Sequence, residues 1–296
     1  MRWLFHVRRS SDEQPADADG RYAPSSLATE GFIHASFLGD VAQSARLYFP
    51  ADAKLEVLQI DPRRLDVPVV VAATPRGDMP HIHGSLPRDA VRAIHNLLDL
   101  PAVATDRVTG TRFGLLAFEG MTLLDLVAVY DPLSRIRSMG FDETSSCEIF
   151  SGDVEDPWAL DGATLEVARV RPPLTDFDVL IVPGGPGTRS LVKDEGLIGW
   201  LGTFPKNRLA ASVCTGALLL GAVGWLRGKR ATTHASALHE LAAHGAVAVS
   251  ERVVDEGQLV TAGGVTSGLD LGLHLVRRLE GADVADRIAR QMEWVR

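Results

Sequence analysis

Apolar and polar positions follow two different rhythms along the chain. In the N-terminal part they predict a strand at Trp3 to Val7, a polar loop from Arg8 to Gly20, and a helix from Asp40 to Phe49. Strands at Leu55 to Ile60 and Val67 to Ala73 follow, then a closing helix with Val91, Ile94, Leu97 and Leu98 on one face. That order is α+β. From Arg112 short runs that are apolar throughout alternate with helical stretches. Strands are predicted at Arg112 to Phe118, Val179 to Val182, Leu209 to Val213 and Ala231 to Thr233, with two short ones between Ser145 and Ala168. Helices are predicted from Thr122, Thr215 to Trp225, Ser236 to His244, and from Thr266 and Asp283, with a hairpin of Val247 to Val254 and Gln258 to Ala262. Fully apolar strands separated by helices predict a doubly wound, mainly parallel, flavodoxin-like α/β sheet covered on both faces. Such sheets bind ligands at the carboxyl ends of their strands. Between the two rhythms, DLPAVATDRVTGT reads as a linker. The predicted organisation is therefore a small α+β domain (1–98), a linker (99–111) and an α/β domain (112–296).

Composition narrows the classes of function. The 296 residues are 46% hydrophobic and 23% charged, which suits an ordinary globular protein. A net charge of −8 without a concentrated basic face argues against nucleic acid or a membrane surface as partner and leaves a small-molecule substrate. Leu209 to Leu226 runs without a charge, but a buried strand, a turn and a buried helix give the same hydropathy as a membrane span. Two cysteines cannot form a disulfide framework, and the stretch after Met1 meets Arg8 and Arg9 too soon for a signal peptide, so the expected compartment is the cytoplasm.

The strongest chemical signal is Ser212-Val213-Cys214-Thr215-Gly216, where a buried strand meets a helix. A strand-to-helix elbow lifts a nucleophile out of the sheet, and the helix N-terminus is expected to lower the thiol pKa of Cys214. The bland alternative is a buried structural cysteine. Pro183-Gly184-Gly185-Pro186-Gly187 follows another buried strand. Its amides, Gly185 above all, could join the Thr215 amide in an anion-stabilising hole or form no more than a tight turn. Asp125 stands among apolar residues at the start of a helix. It reads as an acid/base with a raised pKa or as a first-turn aspartate stabilised by the helix dipole. His234 follows a strand and has no evident acidic partner, and Cys147 reads as structural.

The stretch from Arg112 to Trp294 resembles the ThiJ/PfpI superfamily of class I glutamine amidotransferase-like proteins, and within it the isonitrile hydratases. The motifs that carry the resemblance are Leu123-Leu124-Asp125-Leu126, Ile181-Val182-Pro183-Gly184-Gly185, Ser212-Val213-Cys214-Thr215-Gly216-Ala217-Leu218, Thr232-Thr233-His234 and Thr261-Ala262-Gly263-Gly264-Val265-Thr266. The resemblance implies Cys214 as nucleophile, Asp125 as acid/base, Thr215 as a hydroxyl-bearing helper, no cofactor, no metal, and a homodimer. It implies addition of water to an isonitrile to give an N-substituted formamide. Glyoxalase-like or deglycase-like carbonyl chemistry and ligand or redox sensing are the other activities of the superfamily; the first usually places a glutamate where this chain has Asp125. With no basic helical module after Trp294, direct DNA binding is not expected. Val127-Ala128-Val129 and Ala235 depart from the superfamily pattern at positions expected to touch the pocket wall, and Pro132 predicts a kink or early end of its helix.

Residues 1 to about 98 resemble the domain of unknown function 952 family through Trp3-Leu4-Phe5-His6, Glu30-Gly31-Phe32-Ile33-His34-Ala35-Ser36 and Pro80-His81-Ile82-His83-Gly84. That resemblance extends to the ADP-ribosyltransferase-like fold and implies a small-molecule or nucleotide pocket built from His6, His34, Ser36 and His81. The alternative is that these groups satisfy backbone atoms. His81 and His83 would share one side of a strand, but no cysteine or clear carboxylate completes a metal set.

Overall fold

The computed structural model describes residues 2–11, 16–74, 77–100, 108, 110–153, 155, 157 and 162–294. The chain forms two compact units, Met1–Val108 and Thr109–Arg296. Most of the expected linker, 101–107 and 109, lies outside the described residues.

The first unit contains two three-stranded antiparallel sheets. One has β1 (Leu4–Arg9), β3 (Leu55–Ile60) and β6 (Val91–Asn96) in the order β1-β3-β6; the other has β2 (Ile33–His34), β5 (Gly77–Ile82) and β4 (Val69–Thr74) in the order β2-β5-β4. Helix α1 (Ser25–Glu30) precedes β2, and α2 (Val41–Tyr48) precedes β3. Leu4, Ile33, Leu58, Ile60, Ile82 and Leu86 form one core cluster; Trp3, Phe5, Val41, Val57, Leu100 and Val108 form another. The closing helix expected around Val91 is instead strand β6. Its burial alternates, with Ile94 facing outward, and it pairs with β3 from Val91 opposite Ile60 to Asn96 opposite Glu56. The first strand also runs two residues further than expected, so Arg8 and Arg9 belong to β1.

The second unit is a mixed α/β structure around a six-stranded, mostly parallel sheet. Its strands are β7 (Arg112–Ala117), β8 (Ser146–Ser151), β9 (Val179–Val182), β10 (Leu209–Val213), β13 (Val253–Asp255) and β14 (Leu259–Ala262). Their order is β13-β14-β10-β9-β7-β8, with only β13 antiparallel to its neighbour among these pairs. Every residue of β9 and β10 is buried, as a parallel strand covered on both faces requires. The chain leaves β7 toward β8 on one side and later returns to β9 on the other, so the sheet switches direction between β7 and β9.

The helices are α3 (Leu123–Ser138), α4 (Thr188–Leu191), α5 (Glu195–Leu201), α6 (Gly216–Ala222), α7 (Leu238–Ala243), α8 (Ser267–Glu280) and α9 (Ala282–Gln291). Pro132 does not end α3, which continues for another turn and more to Ser138. Its ring lies against Gly272 of α8, where an added Cβ would stand 2.8 Å from Pro132 Cγ. The expected hairpin is shorter, β13 with β14, while Val247–Ala248 (β12) pairs in parallel with Arg230–Ala231 (β11) in a separate small sheet. The uncharged Leu209 to Leu226 stretch is β10, the elbow and the seven-residue α6; among the described residues no helix is long and apolar enough to cross a membrane.

Candidate functional site

Three strand ends converge at the carboxyl edge of the sheet. Asp125 comes from the first turn of α3 after β7, Gly184 and Gly185 follow β9, and Cys214 follows β10. At the elbow Cys214 has φ +54°, a left-handed conformation that a side-chain-bearing residue adopts at a cost of about 1–3 kcal/mol. The surrounding backbone holds it there. Cys214 N–H donates toward the carbonyls of Ala262 (3.0 Å) and Gly263 (2.9 Å), and its own carbonyl accepts from Thr233 Oγ1 at 2.7 Å.

Gly184 ties the acid/base candidate to the elbow. Its N–H donates to Asp125 Oδ2 at 3.1 Å, and its carbonyl accepts from Thr122 N–H at 2.8 Å at the start of α3. A Cβ on Gly184 would stand 2.5 Å from Thr215 N and 2.8 Å from Cys214 Cβ, so the close approach of the two loops requires glycine. Asp125 is fully buried, and its Oδ1 has no hydrogen-bond partner. Burial pushes its carboxyl up to about 6, against the Cys214 thiol and the Gly184 amide, which favour the charged form.

Two expectations about the thiol are corrected. Its pKa is not lowered: burial first, and the neighbouring Asp125 charge second, push it up to about 11, outweighing the amides of Thr215 and Val265 that favour the thiolate. Nor is the Gly185 amide open to an anion. It donates to Thr215 Oγ1 at 2.9 Å, while that hydroxyl reaches back to the Gly185 carbonyl at 3.1 Å. Thr215 and Val265 supply the backbone donors that favour a charged sulfur.

His234 stands near enough to couple electrostatically to Asp125, but its Nδ1 is bonded to Ser236 Oγ at 2.8 Å, not to a carboxylate. Of the positions that depart from the superfamily pattern, Val127 and Ala235 are exposed. Ala128 packs against Gly268 of α8, where an added Cβ would come within 2.8 Å of it. Sequence reasoning missed Thr233 as the clamp on the Cys214 carbonyl, although it lies inside a quoted motif. It also missed Arg189, whose charge couples to Cys214 and whose guanidinium is bonded to Glu240 at 3.1 and 2.8 Å. No spacing signal links positions 189 and 240. Burial pushes the Cys147 thiol on β8 up to about 12, which keeps it protonated and unreactive at neutral pH.

In the first unit, His6, His34 and Ser36 line one cavity, whereas His81 is absent from its lining and stacks on Phe32 at 3.9 Å between ring centroids. Strand β5 ends at Ile82, one residue before His83, yet the His81 and His83 rings lie on one side, both against Phe32, at 3.9 and 5.6 Å between ring centroids. Among the described residues no cluster of three or more metal-ligating side chains occurs.

Residues 158–278 match the DJ-1/PfpI family, and residues 7–94 match the family described as Protein of unknown function (DUF952). The chain is 35% identical over 184 residues to isonitrile hydratase from Pseudomonas putida, covering 62% of this chain and 78% of that protein. It is 26% identical over 199 residues to the HTH-type transcriptional regulator GbdR of Pseudomonas aeruginosa, covering 66% of this chain and 54% of the regulator. The crystal structure of a ThiJ/PfpI family protein from Pseudomonas syringae is similar with a TM-score of 0.58 and 28% identity, over 64% of this chain and 77% of that one. The relatives thus include both an enzyme and a regulator.

Proposed function

From the premise that the chain belongs to the DJ-1/PfpI family, we propose that residues 112–296 form a cofactor-free, cysteine-dependent hydratase that converts an isonitrile to an N-substituted formamide. The observation that carries this reading is a nucleophile at a strained elbow facing a buried carboxyl with one oxygen unbonded. The similarity to isonitrile hydratase supports the substrate class.

In the first half Asp125 takes the Cys214 proton as sulfur bonds to the terminal isonitrile carbon. The same proton is delivered to that carbon, giving a thioimidate, R–N=CH–S–Cys. In the second half water adds to the thioimidate carbon with Asp125 accepting its proton. The C–S bond then breaks, the thiol is restored, and nitrogen is protonated to give R–NH–CHO. One water is consumed, and splitting the addition into two steps is the gain of covalent catalysis. A carboxyl near 6 is ionised at neutral pH yet basic enough to take part in both transfers. Thr215 fixes the Gly185 loop, and the Thr215 and Val265 amides favour developing negative charge on sulfur. The reading includes a homodimer working in a reducing cytoplasm, with residues 1–98 as a separate domain joined by 99–111; sedimentation tests the dimer.

The decisive experiment measures formamide production from cyclohexyl isonitrile by the native protein and by Cys214→Ala. Cysteine-dependent formamide supports the reading. Absence of turnover in the native protein overturns it and favours ligand sensing, a second reading that the high thiol pKa also fits.

A further inference from the structure

The hydratase reading makes no use of the first unit, yet that unit contains a built cavity. Strands β1 and β2 belong to different sheets, and an isolated bridge joins Phe5 of β1 to Ser36, two residues beyond β2, with hydrogen bonds of 2.9 and 2.8 Å. Beside this bridge lies a cavity of about 630 Å³, within the range of small-molecule sites.

Its polar groups are arranged without net charge. The buried His6 ring donates from Nδ1 to the His34 carbonyl at 2.7 Å, which leaves Nε2 to accept from Tyr22 O–H at 2.9 Å. Both nitrogens are thereby engaged by the neutral form. Ser36 Oγ and Ser44 Oγ are paired at 2.9 Å. Among the described lining residues the charged ones are Arg8 and Glu30; Arg8 is bonded to Glu56 at 3.2 and 2.9 Å, and Glu30 to His34 at 3.0 Å. One hydroxyl is left over: Ser26 Oγ is buried in the structure and has no partner. The remaining wall includes Phe5, Tyr48, Phe49 and Met79.

Each feature restricts the occupant. The orphaned hydroxyl and the serine pair suit a ligand with several hydrogen-bonding groups and disfavour a hydrocarbon. Aromatic and thioether walls suit a flat ring and exceed what a bare sugar uses. A phosphate would call for a cation, and the one on the wall is already neutralised by Glu56. We propose that this cavity binds an uncharged nucleoside, its base against Tyr48 and Phe49 and its sugar hydroxyls toward Ser26, Ser36 and Ser44.

The test is calorimetric titration of the full chain with adenosine, with uridine, and with the 5′-monophosphate of each. One nucleoside is expected to bind with 1:1 stoichiometry, and its monophosphate about tenfold or more weakly. Tyr48 is 53% exposed and Ser26 Oγ makes no internal hydrogen bond, so Tyr48→Ala and Ser26→Ala should fold normally. Each should weaken binding by roughly three- to tenfold while leaving Cys214 alkylation unchanged. The proposal fails if neither nucleoside binds at millimolar concentration, if a monophosphate binds more tightly than its nucleoside, or if both variants bind as the native chain does.

Discussion

The two units each bury an acid or base at the heart of a candidate site, His6 in one and Asp125 in the other, and they finish the job differently. His6 in the first unit has both ring nitrogens bonded, to the His34 carbonyl and the Tyr22 hydroxyl. Asp125 in the second has one oxygen on the Gly184 amide and the other bare. Burial drives both toward their neutral forms, His6 down to about 4 and Asp125 up to about 6. The saturated group is a fixed fixture of a binding wall, because at neutral pH it has neither a proton to give nor a vacancy to fill. The unsaturated group stands against a thiol and retains capacity for a proton.

The sharpest way to break this comparison is to remove the thiol. Cys214→Ser should lower formamide production by at least about a thousandfold, because a serine hydroxyl beside an aspartate is a far weaker nucleophile, while nucleoside binding to the first unit stays unchanged. Equal losses of both would mean that the two sites are not independent.

Next in size is stability. The carboxyl of Asp125 is raised above its unfolded value of 3.8, so its ionisation opposes folding and stability is lost as pH rises from about 4 through about 6. Asp125→Asn should therefore stabilise the second unit at pH 7.5 by up to about 3 kcal/mol and give no such gain at pH 4. Hydrogen exchange on peptides covering Leu209–Val213 measures it, with turnover lost in the same variant. Removing the charge should also speed Cys214 alkylation at pH 8, since that charge is one of the causes holding the thiol up.

The first unit should show the mirror image. His6 is depressed below its unfolded value of 6.5, so the stability it contributes is complete above that pH and is lost as pH falls toward about 4, by up to about 3 kcal/mol. Exchange on peptides covering Leu55–Ile60 should accelerate in acid over that window. The smallest effect is expected from Thr215→Val, which leaves the Gly185 amide without its partner and should reduce turnover about tenfold without moving the stability profile of the first unit.

Much of the second unit was legible because its signals are local. Val179–Val182 and Leu209–Val213 are apolar runs closed by glycine-bearing turns, and a parallel strand covered on both faces looks like that wherever it lies. Loop and elbow follow from the ends of those strands, and the first-turn aspartate from the end of Arg112–Ala117. The ionisation of Cys214 was not legible, since it depends on Asp125, 89 positions earlier in the sequence, and on how deeply both are buried. The anion hole was misread for a related reason: nothing in Pro183-Gly184-Gly185 announces that the Thr215 hydroxyl will claim the amide. In the first unit Val91, Ile94, Leu97 and Leu98 have helical spacing. The pairing of β6 along β3 overrode it, and a strand at the edge of its sheet can leave Ile94 facing solvent. The His6–Tyr22 bond joins residues separated by the stretch whose polar composition says only that it is a loop.

Pro132 and Gly272 carry a consequence for how the second unit can vary. Each is a poor helix residue by itself, one for its missing N–H and the other for its backbone freedom. Where α3 crosses α8 they fit together, the ring of one in the space left by the other. Replacing Gly272 alone drives a methyl into the ring, and replacing Pro132 alone leaves a notch. The two helices, one of which carries Asp125, are thus keyed to each other by a pair of positions that drift can change together more easily than one at a time.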